Sequence, residues 1–163
     1  MKDRQDWMHW MGIALDEAQQ AYRLGEVPVG AAVILDGECV ARAGNRRESL
    51  RDPLAHAELL VLREAARKLG RWRLSGCSLI VSLEPCCMCA GGIIAARLDT
   101  VVFAARDERT GAGGSIYNLL DDSRLNHSPQ VVEGIREEES RALLQSFFKE
   151  LRAVQARLRL VIP

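Results

Sequence analysis

Residues 77–105, CSLIVSLEPCCMCAGGIIAARLDTVVFAA, constrain the fold more than any other stretch of the chain. The apolar run 77–83 reads as a buried strand, Pro85 breaks it, and the small residues from Cys86 to Arg97 read as a closely packed helix. TVVFAA, from Thr100, is a further strand. Upstream, Trp7, Met11, Leu15, Ala18 and Tyr22 recur at helical spacing before Gly25, which predicts an amphipathic helix over 6–24. Two Val- and Ala-rich runs joined by Asp36-Gly37 predict an antiparallel hairpin, 29–35 with 38–44. A polar, arginine-rich connection from Asn45 to Pro53 leads into AHAELLVLREAARKLG, a helix with Leu59, Leu62, Ala66 and Leu69 on one face. A short strand near Pro129 to Val132 and a long terminal helix with Leu144, Phe147, Phe148, Leu151, Val154 and Leu158 on one side complete the chain. Alternation of this kind predicts an α/β fold: a mixed sheet of about five strands with helices on both faces, three layers in all.

At 163 residues with no internal repeat or linker, the chain is expected to be a single domain spanning 1–163. Lysines and arginines balance acidic residues, 22 to 22, so no global field advertises a nucleic-acid partner. Local charge is uneven: Arg42, Arg46, Arg47 and Arg51 cluster around one glutamate, and Arg141, Lys149, Arg152, Arg157 and Arg159 follow the acidic run at 133–139. Each cluster is equally well a solvated helix face. The start, MKDRQDWMHWMG, lacks the apolar core of a secretory signal, and no stretch approaches the ~20 apolar residues of a membrane span. A cytoplasmic, reducing setting is therefore expected, where clustered cysteines point to metal or catalysis before disulfides.

Three of the five cysteines fall within Cys86-Cys87-Met88-Cys89. Cys86 and Cys89, spaced i, i+3 at a helix start, put both sulfurs on one side of the first turn, and Cys87 points elsewhere. A helix N-terminus favours the thiolate, the form that binds metal. Alone this spacing is weak evidence, because small buried cysteines are common core residues. The second motif, His56-Ala57-Glu58, opens the preceding helix, the one place where residues two apart can face a common site. Together His56, Cys86 and Cys89 form a ligand set suited to Zn2+, with Glu58 beside it. Three protein ligands leave room for a water whose pKa zinc lowers to about 7, and Glu58 is placed to move its proton to a leaving group. The competing expectation is a closed structural site completed by Cys87 or Cys77, in a non-catalytic zinc-stabilised binding module.

His56-Ala57-Glu58 followed by Pro85-Cys86-Cys87-Met88-Cys89 resembles the H-x-E and P-C-x-x-C signature of the zinc-dependent nucleoside and nucleobase deaminases. Along almost its whole length the chain is similar to bacterial tRNA-specific adenosine deaminases: Glu26 to Ala31, Asn45, Asp52 to Glu58, Leu83 to Gly91, Ala105 to Ala112, Asn126-His127, and Leu143-Leu144 with Phe147-Phe148. The resemblance implies a cytidine-deaminase-like three-layer α/β/α fold. It implies zinc-dependent hydrolytic deamination of adenosine to inosine at the wobble position of a tRNA anticodon loop. It also implies a homodimer whose partner subunit completes the groove for that loop. On it, Glu58 shuttles protons, Asn45 bonds the flipped nucleotide, Asp107 contacts the ribose or its neighbour, and Val27 and Pro28 line the base pocket. Phe148 and Arg152, on the last helix, suit the stacking and phosphate contacts by which single-stranded RNA is held.

Structural readings stand beside these: Asn45 as a turn cap, Asp107 paired with Arg106 or Arg109, and both phenylalanines as core. His127 is either near the substrate loop or structural, and His9 is expected on the surface. Cys39 and Cys77 are expected as small strand residues, and Glu84 as a cap or brace for the cysteine helix. The chain departs from the pattern with Glu150 and Leu151 where a more basic run is usual, with Ser128-Pro129 after His127, and with Leu54 in place of threonine. The runner-up function is a deaminase of a free base or nucleoside: cytosine, cytidine or guanine.

Overall fold

The computed structural model describes residues 4–161, with side chains to 158, so both ends of the 1–163 span lie outside the described residues. Helix α1 (Arg4–Arg23) is followed by strands β1 (Gly30–Leu35) and β2 (Glu38–Gly44), a short helix α2 (Arg47–Leu50) and helix α3 (Ala57–Leu69). Then come β3 (Ser78–Leu83), α4 (Cys87–Ala96), β4 (Thr100–Ala105), β5 (Gln130–Glu133) and α5 (Glu137–Val161). The strands form one sheet in the order β2-β1-β3-β4-β5. β1 runs antiparallel to both neighbours, whereas β3, β4 and β5 are mutually parallel. The expected mixed sheet is thus present, and Asp36 and Gly37 turn the hairpin with positive φ values of 49° and 79°.

Period-two alternation divides the strand side chains between two cores. Ala31, Val33, Leu79, Val81, Val101 and Phe103 face α3 and α4, while Ala32, Ile34, Ile80, Val102 and Ala104 face α1. Helix α1 buries Trp7, Met11, Ala14, Leu15, Ala18 and Ala21. Its backbone sits so close that a Cβ on Gly30 would lie 2.0 Å from the Ala14 carbonyl oxygen, and one on Gly44 would lie 2.6 Å from that of Glu17. Gly30 and Gly44 are register partners, so together they form a flat seat for the helix.

Three elements differ from the sequence expectation. On α3 the expected face packs on the core through buried Leu62 and half-buried Leu59, Ala66 and Leu69, and the buried surface extends further, to Ala57, Glu58, Val61 and Ala65; Leu59 abuts Gly92 of α4. On α5 the apolar stripe outruns the body it packs on: Phe147 is buried, while Leu151, Val154 and Leu158 are 40, 53 and 56% exposed. Helix α2 falls inside the polar, arginine-rich connection, where the sequence reading places no element, and its stabilisation comes from a distant side chain described below.

Strand direction fixes where function can sit. β1 starts, and β2, β3 and β4 end, at one edge of the sheet. Val27–Val29, Asn45, Glu84–Cys86 and Asp107–Thr110 therefore gather there although they are scattered in sequence.

The Gly30 seat makes a specific prediction. Gly30→Ala must displace helix backbone and should cost about 2 kcal/mol or more, seen as a lower thermal midpoint. Gly91→Ala, whose Cβ meets nothing within 4 Å, should leave the midpoint unchanged or raise it.

Candidate active site

Two helix N-termini supply the chemistry. His56 is the N-cap of α3 and Cys86 the N-cap of α4, both in extended backbone conformation. N-caps are ordinarily Ser, Thr, Asp or Asn, which satisfy the open N–H groups. Here those side chains point to each other instead. The His56 Nδ1 atom lies 3.8 Å from Cys86 Sγ and 3.6 Å from Cys89 Sγ. A tetrahedral ion bonded to nitrogen at about 2.0 Å and to sulfur at about 2.3 Å holds such atoms about 3.6 Å apart, so the three donors fit a metal as they stand.

Among the described residues, His56, Cys86 and Cys89 form the group competent to ligate a metal. Cys87 is exposed and Cys77 is buried elsewhere, so neither completes a fourth ligand as a closed structural site would require.

Proton affinities agree with this geometry. Hydrogen bonding from the Cys89 thiol, helped by His56 and opposed by burial, brings the Cys86 thiol down to about 4. The same bond and burial push Cys89 up, and the Cys86 sulfur raises His56. Glu58 is 4% exposed, and burial raises its carboxyl above the usual range, against its own backbone N–H and the His56 charge. A buried carboxyl beside the donor set suits a group that must take a proton and give it back.

The donors open onto a cavity of about 120 Å3 lined by Val27, Val29, Asn45, Arg47, His56, Ala57, Glu58, Leu83, Glu84, Cys86, Asp107 and Thr110. Val27, Asn45 and Asp107 stand in the wall; Pro28, expected there too, is buried beside it and does not line the cavity, whereas Val29 does. Val29, Arg47, Leu83 and Thr110 were not singled out in the sequence, because nothing local shows which side of a turn faces a cavity.

Through Val27, Leu83, Asp107 and Thr110 the cavity continues into a groove of about 580 Å3. The groove carries Arg106, Arg109, Arg141, Phe148 and Arg152. Phe148 therefore faces the groove while Phe147 is core, meeting Tyr22 and Phe148 edge-to-face at 5.5 and 5.4 Å. Arg106 is paired with Glu133, and Arg141 with Glu137. Among the described residues, Arg109 and Arg152 are in no ion pair.

Two buried glutamates hold the walls. Glu26 Oε1 accepts the Ser49 N–H at 2.7 Å, and its Oε2 accepts the Glu48 N–H at 3.2 Å and the Asn45 amide at 3.5 Å. These bonds cap α2 and orient Asn45, and against burial they hold the Glu26 carboxyl below its ordinary value. Glu84, expected to brace the cysteine helix, instead accepts N–H groups of the loop after β4. Asp107 pairs with neither Arg106 nor Arg109 through their guanidinium groups; its carboxylate accepts the Arg109 and Thr110 N–H groups and the Thr110 hydroxyl, shaping its own turn.

The other histidines are remote. His127 Nε2 bonds the Leu98 carbonyl at 2.6 Å, at the end of β4 opposite Asp107, and His9 is exposed beside Trp10. Cys39 is half-buried on β2, its thiol donating to Ala41 O, and Cys77 is fully buried just before β3. Glu150, a departure from the resemblance, bonds the Tyr22 hydroxyl and so ties α5 to α1. Ser128, Leu54 and Leu151 are exposed, and nothing in the structure explains them.

Sheet order, paired helix N-termini and ligand set define a deaminase: the MafB19-like deaminase family matches residues 5–152. The tRNA-specific adenosine deaminase of Bacillus subtilis is 48% identical over 143 residues, covering 88% of this chain and 89% of that protein. The one from Aquifex aeolicus is 44% identical over 144 residues, covering 88% and 95%. The chain belongs to the tRNA-specific adenosine deaminase family. A solved structure from a study of A-to-I editing by tRNA:A34 deaminases superposes with a TM-score of 0.81 at 43% identity, covering 83% of this chain and 99% of that one. A guanine deaminase from Nitrosomonas europaea gives a TM-score of 0.76 at 29% identity, covering 86% and 83%.

The ligand geometry predicts how metal content responds to substitution. Cys87→Ser should keep one metal ion per chain by elemental analysis, whereas Cys89→Ser should lose it.

Proposed function

We propose that the chain converts adenosine to inosine by hydrolytic deamination at the wobble position of a tRNA anticodon loop. In this reading His56, Cys86 and Cys89 hold one zinc ion, and the active form is a homodimer in the cytoplasm, where its tRNA substrate resides. The observation that carries the RNA substrate is the continuity of the small buried cavity with the arginine- and phenylalanine-bearing groove along α5. A free base would fill the cavity and leave the groove without a partner. A strand that flips one nucleotide into the cavity uses both, its neighbouring bases on Phe148 and its phosphates on Arg109 and Arg152. The names of the relatives, all at 44% identity or more for the two described, point the same way.

The residues divide the work. Asn45, held by Glu26, hydrogen-bonds the flipped nucleotide, while Val27 and Val29 give its ring an apolar wall. Pro28, buried behind that wall, fixes the path of the chain between them. Asp107 and Thr110 close the sugar side, where the cavity meets the groove. Zinc supplies Lewis-acid activation of a water molecule. Glu58 would move the water's two protons, one to N1 of the ring and one to the exocyclic nitrogen, as the C6–O bond forms and the C6–N bond breaks, so that adenosine and water give inosine and ammonia. Burial keeps bulk water from competing for the Glu58 proton.

The substrate is tested by mass spectrometry of a tRNA anticodon stem-loop with adenosine at the wobble position. Inosine at that position alone is expected. Its absence, with deamination of free guanine, would replace this reading by the activity of the Nitrosomonas relative. Glu58→Gln should retain zinc and lower kcat by about 100-fold or more, as loss of a general acid–base group does.

A further inference from the structure

Glu84 directly follows β3 and is 2% exposed; among the described residues its carboxylate hydrogen-bonds no cation, and the Arg106 guanidinium feels its charge without bonding it. Its charge is met entirely by the loop after β4. Oε2 accepts the Asp107 N–H at 2.9 Å and the Ser115 hydroxyl; Oε1 accepts the Gly113 N–H at 2.9 Å and the Ser115 N–H at 3.0 Å. The loop backbone is drawn against the carboxylate, so that a Cβ on Gly111 would lie 2.5 Å from Glu84 Oε2. The loop also docks on the metal-binding strand end: Ala112 N–H bonds the Pro85 carbonyl at 2.8 Å, and Gly111 bridges to Cys86.

Glu84 therefore sits between the two halves of the site. On one side the chain runs directly to Cys86. On the other lie Asp107 and Thr110, two of the four residues shared by cavity and groove.

We propose that Glu84 is the positioning residue of the substrate wall: its carboxylate folds residues 107–115 around itself and so sets Asp107 and Thr110 against the bound nucleotide. This rests on the adenosine deaminase reading above, and it assigns Glu84 no contact with the reacting atoms. A glutamine in its place keeps the size but turns one acceptor into a donor; the Ser115 hydroxyl can turn to accept from it and the backbone N–H groups cannot, so one or two of the four bonds are lost while Cys86 stays in place.

The test compares the zinc-loaded parent with Glu84→Gln by metal content, amide hydrogen exchange and steady-state kinetics on the anticodon stem-loop. Metal content should be equal, exchange across 107–115 at least about tenfold faster, and KM at least about tenfold higher, with kcat changed by less than about threefold. A residue that merely supports the fold would lower the thermal midpoint and leave KM of the folded protein unchanged; that result, unchanged exchange, or loss of zinc overturns the proposal. Should Glu84→Gln not fold, Ser115→Ala removes one of the four donors and should raise KM about threefold by the same assay; no rise overturns the proposal. If the parent makes no inosine, the adenosine reading fails by itself, and exchange still decides whether Glu84 holds the loop.

Discussion

The site depends on the direction of β1. Because it pairs antiparallel with both β2 and β3, while β3 and β4 run parallel, its start lies beside the ends of the other three strands. Four separate turns therefore open at one edge of the sheet. Ligand sites in α/β folds gather outside the ends of parallel strands, where the chain leaves toward helices. Here the antiparallel hairpin contributes a second pair of chain ends to that edge, and with them Val27, Val29 and Asn45. The hairpin in turn is seated by α1, whose backbone approach is possible only over the paired Gly30 and Gly44.

Upon that frame the chain spends its irregular segments on function and holds them with buried charge. A carboxylate accepting several N–H groups gains more per bond than a neutral acceptor, about 1.5–3 kcal/mol each, which offsets its loss of water. Glu26 does this for α2 and Asn45, and Glu84 for the loop 107–115. The helix N-termini bearing His56 and Cys86 make a different choice: in place of the usual oxygen-bearing caps they carry side chains that turn to a shared centre. Local stability is given up where ligands must converge and recovered where walls must stand.

Much of this was legible along the chain. The helical stripe of α1, the Asp36-Gly37 turn, the apolar strands β3 and β4 and the break at Pro85 are local patterns, and each forms where its periodicity places it. The ligand pair Cys86 and Cys89, with His56 and Glu58, was equally legible, since spacing within one helical turn fixes which atoms can meet. Less legible was how far the buried face of α3 extends, because Leu59 and Val61 are equally apolar and only the position of α4 distinguishes them. The exposed half of α5 was hidden for a similar reason: a stripe in sequence does not report where its partner surface ends.

The sequence by itself determined the alternation of helix and strand and the two short motifs, Cys86 with Cys89 and His56 with Glu58, each of which rests on spacing within a few residues; that the two motifs meet, across 30 and 33 residues, was decided by the fold. Only the tertiary structure decided the walls of the pocket. Helix α2 exists because Glu26 caps it from 22 and 23 residues away, and the 107–115 loop is held by Glu84 across separations of 23 to 31 residues. A carboxylate satisfied at such distance has no spacing rule, since its partners are chosen by strand pairing that brings remote backbone N–H groups to one buried point.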